Sequence, residues 1–243
     1  MFDAKETRPR IVKWIADYFQ NNASPDTKAI VGISGGKDSS IVAALCVEAL
    51  GKNRVLGVLL PQGEQHDIYV ALDLCVTLGI EHFVINIHAP VQALYDEISG
   101  AGLTLNSVAT SNTPARLRMA ALYAISGIVG GRVANTSNLS EDWVGYATKF
   151  GDAAGDFSPL SDLTVTELKA VGRELGLSPK FVDKVPIDGL CGKTDEENLG
   201  FTYEALDKYI REGICDDVNI KNKIDNLHEM NLHKVKPMPM FRL

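Results

Sequence analysis

The segment Gly32-Ile33-Ser34-Gly35-Gly36-Lys37-Asp38-Ser39-Ser40 carries the densest chemistry in the chain. Its glycines let the backbone curl so that several N–H groups point at one anion. A helix following directly would add unpaired donors and the positive end of its dipole. Ser34 and Ser39 offer hydroxyl donors to phosphate oxygens, and Lys37 offers a charge. An acid inside an anion-binding loop is repulsive unless a cation lies between, so Asp38 reads as a Mg²⁺ ligand rather than a phosphate contact. The spacing is not that of a Walker loop, because Lys37 precedes Asp38 instead of Ser or Thr, and it is not G-x-G-x-x-G. A glycine-rich turn with no ligand is the plainer alternative.

The elements around this loop can be read from periodicity and punctuation. An opening helix presents Ile11, Trp14, Ile15, Tyr18 and Phe19 on one face and stops near Ser24-Pro25. Apolar strands are expected over 28–33, 54–60, 82–87 and 132–136. Helices are expected over 39–50, closed by Gly51, and 66–78, closed by Gly79. Another is expected to start near Thr113-Pro114, with Thr113 capping, and to run to about Val129. Strands separated by helices imply right-handed crossovers, hence an α/β fold with a parallel sheet flanked by helices on both faces. The second half reads as helical. Thr164-x-x-Glu167 and Thr194-x-x-Glu197 fit capping boxes, and amphipathic helices are expected over about 202–211 and 217–232. Residues 137–163 read as a long polar loop with little periodicity, of a length that is usually functional or disordered. No repeat or linker divides the 243 residues, so one domain spanning 1–243 is expected.

SGGxDS is the signature of the N-type ATP pyrophosphatases, which bind ATP and activate a substrate by adenylation. Further segments resemble the NAD synthetase family within that group: Leu60-Pro-Gln-Gly-Glu-Gln-His-Asp67, Asn112-Thr-Pro-Ala-Arg-Leu-Arg-Met119, Asn135-Thr-Ser-Asn-Leu-Ser-Glu141, Gly145-Tyr-Ala-Thr-Lys-Phe-Gly-Asp152, Asp156-Phe-Ser-Pro-Leu160, Lys193-Thr-Asp-Glu-Glu-Asn-Leu-Gly200 and His233-Lys234. The resemblance implies a Rossmann-like fold and ATP-dependent amidation of deamido-NAD with ammonia, through an adenylated carboxylate. It implies ATP contacts at Gly32 to Ser39, Thr136 and Thr194, and Mg²⁺ on Asp38 and Glu141. Arg116, Lys149, Asp156, His233 and Lys234 would contact deamido-NAD. Asp152 is the candidate that holds or deprotonates ammonium. Asp38 and Glu141, a hundred residues apart, both follow parallel strands and so can converge on one sheet edge. Family members are typically homodimers, which an exposed apolar face on the opening helix would permit.

Taken singly, each residue has a duller reading: Arg116 as a solvated helix charge, Glu141 or Asp156 as a loop carboxylate, Thr194 as a cap, His233 as an exposed side chain. Their joint occurrence in order outweighs those readings. Two positions depart from the family pattern. Asn135 stands where glycine is frequent and adds bulk beside the nucleotide. Val165 stands where many members have an ATP-contacting lysine, a charge that Lys37 or Lys169 would have to supply.

Composition narrows the classes. A net charge of −7 argues against a nucleic-acid partner, whose footprint is basic. Hydrophobic residues at 45% and charged residues at 23% suit a globular chain with its own core. No apolar run reaches the roughly 18–20 residues that cross a bilayer, and the charged start lacks a secretory h-region, so a cytoplasmic setting is expected. Cys46, Cys75, Cys191 and Cys215 are too scattered for a zinc or iron–sulfur site, which speaks against tRNA-thiolating and deazaguanine enzymes. A GMP synthetase module would lack the His233-Lys234 tail, and a nucleotide sensor would not need the substrate residues. Motifs occupy residues 32–234 and leave no room for a glutamine amidase domain. Ammonium, and not ammonia-free glutamine, is therefore expected to support product formation, and turnover on purified glutamine alone would refute this.

Overall fold

The computed structural model describes residues 2–184 and 194–242; Cys191 and Lys193 lie outside that set. The first half alternates helices α1 (Ala4–Asn22), α2 (Lys37–Leu50), α3 (Ile68–Leu78), α4 (His88–Gly100) and α5 (Ser107–Val129) with strands β1 (Lys28–Gly32), β2 (Val55–Leu59), β3 (Glu81–Val84) and β4 (Gly131–Val133). The strands form one parallel sheet in the order β3-β2-β1-β4. After it come α6 (Leu139–Val144), α7 (Val165–Glu174), α8 (Pro179–Val182), α9 (Asp195–Leu199), α10 (Tyr203–Glu212) and α11 (Val218–Val235).

Strand alternation divides the core into two layers. Ala29 and Val31 of β1, with Val55 and Leu59 of β2, face α1, α2, α3 and α7 through Ile15, Phe19, Ile41, Leu45, Leu74, Leu168 and Val171. Ile30, Leu56, Val58 and Val133 face α4 and α5 through Val91, Met119, Leu122 and Ile125. The expected α/β architecture with helices on both faces is thus present. β3 is the exposed edge, with Phe83 and Val84 about half exposed.

Several boundaries differ from the sequence reading. α5 begins at Ser107, not near Thr113, and its cap is Asn106, whose side chain accepts from Ala109 N. Pro114 lies inside this helix. Proline cannot bond the carbonyl four residues back, which here is that of Thr110. Tyr95 Oη of α4 donates to that carbonyl at 3.1 Å, so the break is closed from outside. α4 itself was unread, since Val91 is its one fully buried residue and its period is weak. The 137–163 stretch is not wholly loop, because α6 forms within it on an Asn138 cap. The apolar face of α1 is not free either. Ile15 and Phe19 are buried, and Phe19 packs edge-on against Phe157 at 5.3 Å; Trp14 keeps 45% of its surface.

The Thr164 capping box forms as expected. The same α7 start receives a buried carboxylate from α10: Asp207 accepts from Thr166 N at 2.8 Å and from Ser140 Oγ at 2.5 Å. Ser140 Oγ also accepts from Val165 N at 3.0 Å. Anion and helix N-terminus suit each other, and the network fixes α6 against α7 and α10. Burial pushes the Cys46 thiol up to about 12 and that of Cys75 up to about 11, as fits small core residues.

Gly145 joins α6 to the following loop at φ +64°, where a Cβ would meet Cβ of Asn231 at 2.1 Å. Gly145→Ala combines left-handed strain with a clash and is expected to cost about 2–4 kcal/mol. A thermal melt checks this; an unchanged midpoint would refute the close packing of α6 on α11.

Candidate active site

Gly32 ends β1, and Ile33 N continues the ladder onto Val58 O at 2.8 Å. The chain then turns through Gly35 at φ +78°, a conformation open to glycine, with its Cα pressed close to α3. Gly36 occupies the cap position of α2, and no described side chain caps that end. The loop is braced internally instead. Ser34 Oγ and Ser39 Oγ lie 3.0 Å apart, Gly36 N donates to Ser34 Oγ, and Ser40 Oγ donates to Gly36 O at 2.7 Å. The helix N-terminus and preorganised hydroxyls form an anion cradle at the carboxyl edge of a parallel sheet, where α/β folds bind ligands.

Asp38, in the first turn of α2, meets Glu141 as the sequence spacing implied. Lys37 Nζ sits between them, 2.9 Å from Asp38 Oδ2 and 3.6 Å from Glu141 Oε1. Its side chain is 2% exposed, against 19% for Asp38 and 17% for Glu141. Burial opposes the lysine charge, but Asp38 and Glu141 outweigh it and hold the ammonium above its ordinary range. Burial pushes the Glu141 carboxyl up, Asp38 adds to that push, and Lys37 opposes it. Two carboxylate oxygens converging on one positive point match the donor set of a hard divalent cation, and the ammonium stands where such an ion would go. In this structure the Lys37 ammonium, expected to contact ATP, is paired with the two acids. Val165, at the position where many family members have an ATP-contacting lysine, is buried in the core.

Asn138 was not singled out from sequence and is fully buried here. Its Nδ2 donates to Asp38 Oδ1 at 2.9 Å while its Oδ1 accepts from Glu141 N at 3.0 Å. The available signal was an Asn three residues before an acid, an N-cap pattern. Tyr203 was missed as well; its ring lies 5.5 Å from Lys37 Nζ and its hydroxyl donates to Asp195 at 3.3 Å. Nothing in sequence spacing announces that contact. Thr194 caps α9, its hydroxyl accepting from Glu197 N at 3.2 Å, while Thr136 follows β4 and is half-buried.

The expected acceptor residues gather on the neighbouring side. Lys149 Nζ donates to His233 O, and Lys234 Nζ donates to Gly145 O at 2.6 Å, so the end of α11 is tied to the 145–152 loop. Arg116 Nε donates to Lys149 O at 3.2 Å. Asp152 accepts from Thr148 N at 2.7 Å; burial pushes its carboxyl up, and the Thr148 bond and Lys234 pull it part of the way back. Phe150, beside Lys149, holds φ +64°, a strained value for a non-glycine residue. Asp156 accepts from Val133 N at 2.7 Å and from Tyr123 Oη at 3.3 Å. A cavity of about 390 Å³ is lined by Asn135, Asp142, Gly155, Asp156, Ser158 and Lys234 among others. Residues 32–40 do not line it. Asn135 anchors its floor, donating to Asp152 O at 2.8 Å and Ala154 O at 3.1 Å.

A parallel α/β sheet with an SGGxDS cradle at its carboxyl edge defines a nucleotide-binding protein of the ATP pyrophosphatase type. A model of the NAD synthase family matches residues 8–239, and the chain belongs to that family. The NH(3)-dependent NAD(+) synthetase of Pyrococcus furiosus is 35% identical over 225 residues, covering 88% of this chain and 86% of that protein. That of Archaeoglobus fulgidus is 34% identical, covering 96% and 97%. Among solved structures, an NMN synthetase from Francisella tularensis superposes with a TM-score of 0.91 at 32% identity over all of both chains. The NH3-dependent NAD synthetase from Campylobacter jejuni gives 0.80 at 28% identity, also over all of both.

Asp142, on the cavity wall, has its carboxyl pushed up to about 6, by burial first and by Asp152 second. Between the ordinary carboxylate value and about 6 the folded chain keeps a proton that the unfolded chain releases. Stability therefore falls as pH rises through that window, and the full cost stands above it. Asp142→Asn should be more stable than the parent by about 1–2 kcal/mol above pH ~7 and no more stable below pH ~4. Denaturant melts across that range test it; a gain independent of pH would refute the burial argument.

Proposed function

We infer that this chain is an ATP-dependent, ammonia-using ligase that amidates deamido-NAD to NAD through an adenylated carboxylate, releasing AMP and pyrophosphate. The observation that carries this reading is the convergence of Asp38 and Glu141 on one cationic point beside the Gly32–Ser39 cradle. The cradle N–H groups and the Ser34 and Ser39 hydroxyls hold the departing pyrophosphate, with Thr136 and Thr194 assigned to ATP. Asp38 and Glu141 would hold Mg²⁺, which supplies charge neutralisation to the triphosphate when bound. The nicotinate carboxylate attacks the α-phosphorus and the bond to the bridging oxygen breaks. Ammonia then attacks the acyl carbon and AMP leaves.

Arg116, Lys149, His233, Lys234 and Asp156 are assigned to the acceptor, where the cations offset its phosphate. Asp152 is assigned to ammonium, its raised carboxyl suiting it to exchange a proton nearer neutrality than an ordinary aspartate does. We also propose a homodimer in the cytoplasm, working as one unit along the chain. Phe83, Val84, Leu94 and Ile128, on β3, α4 and α5, are exposed apolar side chains available for contact with a second copy. No described helix is long and apolar enough to cross a membrane.

A second reading concerns the size of the acceptor. The whole-chain likeness to the Francisella NMN synthetase and the Asn135 side chain on the cavity lining favour a nicotinate mononucleotide over the dinucleotide. Purified protein with ATP, Mg²⁺ and ammonium, offered each acceptor in turn, decides between them through the ratio of kcat/KM values. Inertness toward both would overturn the assigned chemistry. Asp38→Ala is expected to lower turnover by more than about 10³-fold while leaving the circular-dichroism spectrum unchanged; full activity in that variant would remove its assigned role.

A further inference from the structure

Lys37 occupies the variable position of SGGxDS, at the first turn of α2, where the helix dipole disfavours a cation. Leaving a lysine side chain buried there also costs its hydration and its rotamer freedom. Those costs are offset by Asp38 at 2.9 Å, Glu141 at 3.6 Å, the Tyr203 ring at 5.5 Å and the nearby Asp195 carboxylate. Without a positive charge among them, three acids would repel one another in a poorly solvated place.

We propose that Lys37 is a built-in counter-ion, which holds Asp38 and Glu141 in their working positions in the metal-free protein and gives way when a divalent cation takes those carboxylates. This rests on the reading of Asp38 and Glu141 as metal ligands. An ammonium and a divalent ion cannot share one point between the same oxygens, so the metal must displace Lys37. The displaced ammonium remains tethered to the start of α2, beside the phosphate cradle. Metal alone then gains little, because it exchanges one cation for another. Metal with a triphosphate gains more, because the released lysine finds a new anion. The two ligands are thereby coupled through one side chain.

The test uses Mn²⁺ as probe, followed by electron paramagnetic resonance, with thermal melts alongside. The parent protein should bind Mn²⁺ weakly without nucleotide, and its melting midpoint should not respond to chelator. Lys37→Met, of similar length and no charge, should bind Mn²⁺ at least about tenfold more tightly, and Glu141→Gln added to it should abolish the gain. Its midpoint should fall in chelator and recover with Mn²⁺. If it does not fold, Lys37→Gln, which can still donate to Asp38, carries the same expectations. Unchanged Mn²⁺ affinity in the lysine variants would overturn the counter-ion role, provided that parent protein with ATP retains Mn²⁺ and loses it in Asp38→Asn. If Asp38→Asn and Glu141→Gln leave Mn²⁺ retention with ATP unchanged, the metal-ligand reading itself fails and the proposal goes with it.

Discussion

The bridge made by Asn138 is the contact on which the site depends. One amide donates to Asp38 at the start of α2 and accepts from the first turn of α6. It thereby joins the end of the β1 turn to the segment after β4, about a hundred residues later. Each of those segments carries a carboxylate that would be costly to bury alone. The amide fixes their separation, and a cation between them neutralises their charge. Remove the amide, and two acids on independent loops have no reason to meet.

The acceptor side is assembled by different means. Few long-range ion pairs set it; backbone carbonyls do. Arg116 rests on Lys149 O, Lys149 on His233 O and Lys234 on Gly145 O, so three cations are oriented by accepting groups with no charge of their own. Their charge stays available to an anion. The Asn231 amide, on Val144 O, holds α11 against α6 and with it the segment that carries Lys234. Cradle and cavity thus share α6 as a common wall.

Much of this was legible in the residues. Strands β1 and β2 stand out as apolar runs, and Gly51 and Gly79 end the helices expected before them because their positive φ stops the chain there. The acids at 38 and 141 were readable because parallel strands deliver successive loops to one edge. Three things were not. α4 buries one residue fully, so its apolar period is too weak to separate it from loop. Pro114 looked like a helix start because the hydroxyl that repairs the break belongs to another helix. The pairing of Lys37 with Asp38 and Glu141 was not legible, because one partner is a neighbour and the other lies far along the chain. Local pattern fixes where a charge begins; only tertiary packing decides where a long side chain ends.

The Tyr95 hydroxyl on the Thr110 carbonyl has a historical implication. Pro114 stands two residues before Arg116 and four before Arg118, whose Nε reaches Leu60 O at 2.9 Å. The helix turn that carries those guanidinium groups is therefore braced by a phenol from a separate helix. Lineages that lose the phenol would come under pressure to lose the proline too, and the pair should drift together or not at all.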